Sequence, residues 1–350
     1  MITRRQALYF GLAALTVTAC DQTVNQDSSN QDPSQIEPEP LVLNGAGATF
    51  PAAIYLRWFA AYNQINPQVQ INYQPVGSAA GEQQFINQTV DFAASDTGLA
   101  APGLANTPAI AIPMTAGAIV LGYNLPGVTE LKLPRQVYAD IYLGKITTWN
   151  DPAIAAANPS QNLPNLPIAL VYRSDGSGTT EIFTRHLSAI SPTWKTQVGS
   201  GKTVQWPAGT GTKGNEGITA QILQAPGVIG YIEFAYAKLN KISGALLENQ
   251  KGNYIPPSLE ATAIAINDIT LDQNLTGFAL DPANPQAYPI ASYSWILLYK
   301  KYNDPAKANT LKQVLNWALT EGQKLSPAQG YVQLTAPVVA QSQQALAQLG

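Results

Sequence analysis

The sequence predicts an α/β fold, and three observations lead to that prediction. The chain has 350 residues, 45% of them hydrophobic, which is enough to bury a large core and to form two domain-sized units. Short apolar runs typical of strands alternate with amphipathic stretches typical of helices. Glycine-rich turns follow several of the strand-like runs and lead into helices, a connection common in α/β proteins.

The individual elements follow in chain order. We expect strands at residues 42–45, 69–73, 91–94, 119–123, 168–172 and 295–299, and helices at 51–63, 83–87, 311–319 and 338–349. In the first helix, the apolar side chains available for burial are Ile54, Leu56, Trp58 and Phe59.

The composition excludes several classes of function. Only 12% of residues are charged and the net charge is −3, so the basic face typical of a nucleic-acid-binding protein is not expected. A single cysteine cannot form an internal disulfide, and a single histidine excludes a multi-histidine metal centre. We therefore expect neither a metal nor another cofactor.

Residues 1–20 have the pattern of an export signal. Arg4 and Arg5 form a basic start, residues 8–19 are apolar, and small residues precede Cys20. The sequence Val-Thr-Ala-Cys at 17–20 resembles a bacterial lipobox, which predicts lipidation of Cys20. A plain cleaved signal with an incidental cysteine is the alternative, and the two arginines leave the twin-arginine and general export routes open.

Residues 21–40 are predicted to be a disordered tether. The segment contains two aliphatic residues, five acidic residues and no basic residue, so it cannot form a core. The remaining residues, 41–350, hold 17 of the 22 acidic and 17 of the 19 basic residues. This part is formally neutral, so an ionic ligand has to be attracted by local groups.

Three glycine-rich turns, each containing serine or threonine, carry the functional prediction. They span residues 45–51 (GAGATFP), 77–81 (GSAAG) and 175–180 (DGSGTT). Each follows a predicted strand and opens a helix, with Ser78 a candidate N-cap. Backbone N–H groups and a hydroxyl at the positive end of a helix favour binding of an oxyanion.

Enzyme interpretations fit the sequence poorly. Residues 176–178 lack the full G-x-S-x-G pattern of a hydrolase, and His186 is the only histidine available as a base. Residues 199–203 (GSGKT) imitate the end of a P-loop, but Thr196 stands where the first glycine is needed. In a dinucleotide motif that starts at Gly45, the third glycine would fall on Phe50.

The motifs together resemble a known family, the phosphate-binding protein of the bacterial high-affinity phosphate ABC transporter. The resemblance spans 41–350 in family order, through residues 45–51, 89–96 (TVDFAASD), Arg173 with 175–179, 213–217 (KGNEG), and Gly230 with Tyr231. It implies a two-lobed, type II-like periplasmic binding protein with a cleft between the lobes and two crossover hinge segments. Lobe one would comprise 41–118 plus 289–350, and lobe two 119–288.

The resemblance also implies a set of phosphate-binding residues, which are Thr49, Phe50 (through its backbone N–H), Ser78, Asp96, Arg173, Ser177, Gly178 and Thr179. Asp175 would orient the Arg173 fork and offset its charge. At 77–81 the chain departs from the family's Gly-Ser-Ser-Gly-Gly pattern but keeps the first serine. Asp96 would accept the proton of phosphate, which sulfate lacks, although Ser95-Asp96-Thr97 also suits a helix N-cap.

The function that this resemblance implies is binding of inorganic phosphate and its delivery to the permease subunits of an ABC importer, without enzymatic chemistry. We expect a monomer, held at the outer face of the cell membrane in the periplasm by a lipid on Cys20. A phosphate sensor or scavenger without transporter contact is an alternative, as is a phosphatase. Binding of another oxyanion, such as arsenate or sulfate, also remains open.

Overall fold

Helices and strands alternate along residues 39–100, 103–104 and 107–350, which are the part of the chain that the computed structural model describes. The strands are β1 (Leu41–Gly47), β2 (Val69–Gln74), β3 (Phe92–Ser95), β4 (Ala109–Tyr123), β5 (Lys132–Leu133), β6 (Ala169–Arg173), β7 (Thr210–Thr212), β8 (Val228–Glu233), β9 (Ser243–Gly244), β10 (Leu246–Glu248), β11 (Tyr254–Ile255) and β12 (Ala291–Tyr299). The helices are α1 (Ala52–Ile65), α2 (Ser78–Ile86), α3 (Arg135–Tyr142), α4 (Pro152–Ala157), α5 (Gly178–Ile190), α6 (Pro192–Gln197), α7 (Gly214–Gln224), α8 (Phe234–Leu239), α9 (Leu259–Asn267), α10 (Pro305–Leu319), α11 (Ser326–Gln329) and α12 (Ala336–Ala347). The predicted signal, Cys20 and the tether up to Pro38 lie outside the described residues.

The predicted elements are found close to their expected positions, with two corrections. Leu56 is 48% exposed, whereas Ile54, Trp58 and Phe59 are buried, because position 56 turns away from the face of α1 that packs on the sheet. Ser78 does not cap α2: the cap position is Gly77, and the Ser78 side chain accepts a hydrogen bond from another part of the chain.

A nine-stranded mixed sheet organises the chain. Its order is β2-β1-β3-β12-β4-β8-β6-β7, and the short β9 also pairs with β4. The pairs that involve β12 or β4 are antiparallel. Strand β1 is parallel to its neighbours β2 and β3, and β6 is parallel to its neighbours β7 and β8. A second, three-stranded sheet has the order β11-β10-β5.

The chain passes between the two halves of this sheet at two adjacent places. Strand β4 pairs with β12 up to Ala118 and with β8 from Ile119 onward. The chain returns next to that point, where Ile119 N–H donates to the carbonyl of Ile290 over 2.9 Å, just before β12 begins. Both passages are buried in the core.

Parallel pairing of β1 with β3 places the loops that follow these two strands at the same edge of the sheet. Strand β6 runs in the opposite direction, because three antiparallel pairs (β3–β12, β12–β4 and β4–β8) separate it from β3. Each turn predicted from glycine does connect a strand to a helix: β1 to α1, β2 to α2, and β6 to α5. None of the helices in the described part of the chain is both long and apolar enough to cross a membrane.

Candidate functional site

The three glycine-rich turns meet in one place. Gly77 N–H donates to the carbonyl of Gly47 over 2.8 Å, which joins the first turn to the second. Ala79 N–H donates to the carbonyl of Gly176 over 3.0 Å, and this bond joins the second turn to the third across the two halves of the sheet. The turns thus enclose a cleft between the half of the sheet that contains β1 and the half that contains β6.

The two walls of the cleft approach each other so closely at Gly77 and Gly178 that only glycine fits there. A Cβ on Gly178 would lie 2.6 Å from the Cβ of Asp96 and 2.6 Å from Oγ of Ser78. Gly77 has a φ of +95°, and a Cβ there would lie 2.5 Å from Oδ2 of Asp175. Side chains at these positions would force the two walls apart.

Arg173 ends β6, and its guanidinium is buried in the cleft. Its Nε donates to Oδ1 of Asp175 over 2.7 Å and its Nη2 to Oδ2 over 2.5 Å, so two of its three nitrogens are held by one carboxylate. Nη1 is buried without a hydrogen-bond partner. Burial alone would raise the pKa of Asp175, but the hydrogen bonds and charge of Arg173 outweigh it and lower that pKa.

Asp96 follows β3 and is 1% exposed. Its Oδ1 accepts a 2.7 Å hydrogen bond from the hydroxyl of Ser294, and its Oδ2 is buried without a partner. Burial raises the pKa of Asp96 to about 7, although the bond from Ser294 and the charge of Arg173 act in the opposite direction. The Asp96 carboxylate therefore accepts its hydrogen bond from Ser294 on β12. It does not accept one from a backbone N–H at the start of a helix, as an N-cap would.

Four buried hydroxyls surround these charged groups: Thr49, Ser78, Ser177 and Thr179. Each of them accepts a hydrogen bond. The donors are the amide of Asn215 to Thr49 and Thr179, the N–H of Gly178 to Ser78 and the N–H of Thr180 to Ser177. A hydroxyl that accepts a hydrogen bond from the protein can still donate its own proton. These four hydroxyls can therefore donate hydrogen bonds to a ligand in the cleft.

Phe50 lies at the turn before α1, with its side chain fully buried. Its carbonyl accepts a 2.6 Å hydrogen bond from the hydroxyl of Tyr331, and the neighbouring carbonyl of Thr49 accepts one of 2.8 Å from Tyr236. The Thr49 carbonyl shares its peptide unit with the N–H of Phe50, so the bond from Tyr236 fixes the orientation of that N–H. The peptide unit after Phe50 ends at Pro51 and carries no N–H, and the bond from Tyr331 anchors it.

An ion pair between Glu82 and Lys202 spans the same cleft. Nζ of Lys202 lies 2.5 Å from both carboxylate oxygens of Glu82, which is on α2, and the two side chains are 13% and 7% exposed. Ser95 also donates to Glu82 over 2.5 Å. Lys202 belongs to the segment that imitates a P-loop, and here it forms a contact between the two walls.

The only histidine is occupied elsewhere. His186 is buried, with Nε2 2.8 Å from the hydroxyl of Tyr138 and Nδ1 2.7 Å from the carbonyl of Leu280. Burial lowers its pKa to about 4, and the bond to Leu280 opposes this only in part. A neutral ring with both nitrogens engaged is not available to activate Ser177 as a nucleophile.

The structure brings all the predicted site residues of the folded part to this cleft, and it adds others that the sequence did not assign to the site. The additional residues are Glu82, Lys202, Asn215, Tyr231 and Ser294, of which Lys202, Asn215 and Tyr231 lie in motifs already noted. The position of Asn215 within 213–217 (KGNEG) was a signal that could have identified it. Ser294 had no comparable signal, because nothing in the sequence around β12 sets it apart.

Comparisons with known proteins agree with this architecture. Residues 23–321 match the model of the PBP superfamily domain. The chain is 40% identical over 302 residues to the phosphate-binding protein PstS of Pasteurella multocida, an alignment that covers 85% of this chain and 87% of that one.

Two solved structures show the same fold. One is a high-affinity periplasmic phosphate-binding protein, PfluDING, bound with phosphate; it has a TM-score of 0.67 and 22% identity, covering 86% of this chain and 92% of that one. The other is a putative phosphate ABC transporter substrate-binding protein of Clostridium perfringens with bound phosphate; it has a TM-score of 0.62 and 16% identity, covering 84% and 100%. The predicted two-lobed α/β fold and the prediction of a binding protein rather than an enzyme are confirmed. The chain belongs to the PBP superfamily and, within it, to the PstS family of phosphate-binding proteins.

Proposed function

We propose that the chain binds inorganic phosphate in the cleft and delivers it to an ABC-type importer. The observation that carries this proposal is a pair of buried, unpartnered atoms: Nη1 of Arg173, a donor, and Oδ2 of Asp96, an acceptor. Unpaired buried polar atoms are costly, so a ligand that satisfies both is strongly favoured. The proposed contacts are Thr49, the backbone N–H of Phe50, Ser78, Asp96, Arg173, Ser177, Gly178 and Thr179, with Asp175 orienting Arg173.

The balance of donors and acceptors supports phosphate over sulfate. Several hydroxyls, backbone N–H groups and one guanidinium nitrogen can donate, and the free oxygen of Asp96 can accept. Phosphate near neutral pH keeps at least one proton to offer that oxygen, whereas fully ionised sulfate has none. A sulfate oxygen would instead face an acceptor, an arrangement that excludes it by repulsion.

The relatives support the same ligand. The Pasteurella multocida relative is named a phosphate-binding protein, and both solved structures are described as containing phosphate. The Clostridium perfringens protein is described as belonging to a phosphate ABC transporter, which supports the proposed delivery to permease subunits.

Binding would occur between two lobes, 41–118 plus 289–350 and 119–288. The change of partner along β4 between Ala118 and Ile119 supports this division, as does the adjacent return at Ile290. The first lobe supplies Asp96 and the second Arg173, so an anion held by both closes the cleft through the two crossing segments.

Titration calorimetry with phosphate and sulfate tests the proposal. We expect phosphate to bind and sulfate to bind far more weakly, by about 10⁴-fold or more, the discrimination that a whole site built to hydrogen-bond one group of a ligand can impose against an analogue that lacks the group. Absence of phosphate binding, or equal affinity for both anions, would refute it. Competition with arsenate measures discrimination between the two protonated oxyanions, and turnover of a phosphoester would instead support a phosphatase.

Location and partners are proposed on the sequence. We propose a periplasmic monomer whose Cys20 carries the lipid anchor and whose residues 21–40 tether the lobes to the membrane. In cells, Cys20→Ala should release the protein from membranes, and retention there would contradict the anchor. Capture of phosphate permease subunits by the full chain separates a transport component from a sensor or scavenger. Size-exclusion chromatography with light scattering tests the monomer.

A further inference from the structure

Asn215 connects the two walls of the cleft through a pair of threonine hydroxyls. It lies at the start of α7 and is fully buried. Its Nδ2 donates to Oγ1 of Thr49 over 2.8 Å and to Oγ1 of Thr179 over 3.3 Å, and its backbone N–H also donates to Thr49, over 3.2 Å. One side chain thus contacts the first and the third glycine-rich turns.

The orientation of the Asn215 amide is determined by its other end. Oδ1 accepts a 3.0 Å hydrogen bond from the backbone N–H of Glu233. A backbone N–H can only donate, so the oxygen has to face Glu233 and the NH₂ group has to face the threonines. The direction of the bonds to Thr49 and Thr179 follows from this constraint.

The hydroxyl of Thr49 is left with one role. Its oxygen has two acceptor sites, and both are used by Asn215, one by the backbone N–H and one by the side chain. The hydroxyl proton therefore has to be given to another acceptor. Thr179 has one acceptor site occupied in the same way, which biases its hydroxyl toward donation.

We propose that Asn215 is a positioning residue that makes Thr49 and Thr179 hydrogen-bond donors to the bound anion. This inference rests on the proposed phosphate binding and extends it to the proton arrangement of the site. The Thr49 hydroxyl, which can only donate, and the Thr179 hydroxyl, which is biased toward donation, favour the unprotonated oxygens of phosphate. The protonated oxygen is then directed to Asp96, which has the free acceptor atom.

Asn215→Asp is the principal test because it retains size and the acceptor for Glu233 while replacing the NH₂ group by an oxygen. The hydroxyls of Thr49 and Thr179 would then turn to donate to the new carboxylate instead of to phosphate. We expect the affinity for phosphate, measured by calorimetry, to fall about 100-fold, the equivalent of two or more lost hydrogen bonds.

Asn158→Asp is a matched control. Asn158 is also buried, its Nδ2 donates to the carbonyls of Lys132 and Ile154, and its Oδ1 accepts from the N–H of Lys132. The same substitution there should affect thermal stability but leave phosphate affinity within about twofold, because no ligand-binding hydroxyl depends on it.

A double-mutant cycle separates positioning from the effect of added charge. A Thr49→Val background has no Thr49 hydroxyl to reorient. The fold-loss of phosphate affinity caused by Asn215→Asp should therefore be at least five times smaller in that background than in the wild type. The cycle is repeated with Asn215→Ala, which adds no charge and remains informative if the aspartate variant does not fold. Equal factors in both backgrounds would overturn the proposal.

The outcomes distinguish this inference from the proposed function. If the wild-type protein does not bind phosphate, the proposed function is wrong. If the wild-type protein binds phosphate but Asn215→Asp binds it as well as Asn158→Asp does, only the role of Asn215 is wrong.

Discussion

The hydroxyl of Ser294 donates a 2.7 Å hydrogen bond to Oδ1 of Asp96, although the two residues are 198 positions apart. Ser294 lies on β12, which pairs directly with β3, the strand that ends beside Asp96. The bond holds the carboxylate so that Oδ1 is occupied and Oδ2 is free. Oδ2 of Asp96 is the acceptor proposed to recognise the phosphate proton. Its orientation therefore depends on β12, the strand by which the chain returns from the second half of the sheet.

Replacing Asp96 by asparagine should reduce selectivity more than affinity. The amide can present N–H to an unprotonated oxygen, so sulfate gains a donor where it had met an acceptor. We expect the ratio of phosphate to sulfate affinity to narrow by about 1–3 kcal/mol, the cost typical of an unpaired buried polar group. Calorimetry with both anions measures the ratio. An unchanged ratio would show that Asp96 does not recognise the proton of phosphate.

Arg173→Lys should weaken phosphate and sulfate equally. Lysine keeps the charge but cannot hold Asp175 with two nitrogens and present a third to the cleft. We expect a loss of about 1.5–3 kcal/mol for each anion, as for a hydrogen bond to a charged group. Arg185→Lys is the control, because Arg185 pairs with Glu181 along the same helix and should change affinity little. A loss confined to one anion would contradict the assignment.

Glu82→Gln should disfavour closure of the cleft. The substitution leaves Lys202 nearly buried without its partner, and opening the cleft would return that charge to water. We expect phosphate affinity to fall about tenfold, or 1.4 kcal/mol, with a larger radius of gyration in X-ray scattering.

Two further variants test this account of the Glu82–Lys202 ion pair. Glu321→Gln breaks an exposed pair with Lys324 and should leave affinity unchanged. Combining Glu82→Gln with Lys202→Met should restore part of the affinity, because the unpaired charge is removed. If the double variant binds as weakly as Glu82→Gln, the ion pair does not act through closure.

In the ligand-free protein, the contribution of Asp96 to the free energy of unfolding should fall as the pH rises from about 4 to about 7. The unfolded chain releases this proton near pH 3.8 and the folded protein near pH 7, so the folded state holds more protons between these values. The contribution is on the order of 4 kcal/mol by the linkage of pKa and stability. Asp96→Asn should remove it, so the variant should gain stability relative to the wild type as the pH rises.

Urea unfolding at pH 5 and pH 8 without phosphate measures the part of this contribution that is lost above pH 5, about 2–3 kcal/mol. His186 has a lowered pKa, and its contribution to stability rises with pH over part of the same range. It is present in both proteins, so the difference between them isolates Asp96. Parallel pH profiles for the two proteins would contradict a raised pKa at Asp96.

Much of the fold and of the site could be predicted from local sequence. The alternation of apolar runs and the glycine turns determined the order of strands and helices, because backbone conformation depends on neighbouring residues. Arg173 and Asp175 are two positions apart, so their contact is also a local matter. Resemblance at the motifs added the ligand and the set of candidate residues.

Tertiary structure alone decided how those residues work together. The sequence did not indicate that Ser294 would hold Asp96, that Asn215 would join Thr49 to Thr179, or that Glu82 would pair with Lys202 from 120 positions away. These contacts exist because β12 and β4 lie between the outer strands of the sheet and bring the two walls of the cleft together. Local patterns cannot specify which distant groups become neighbours, since that depends on the packing of the whole chain.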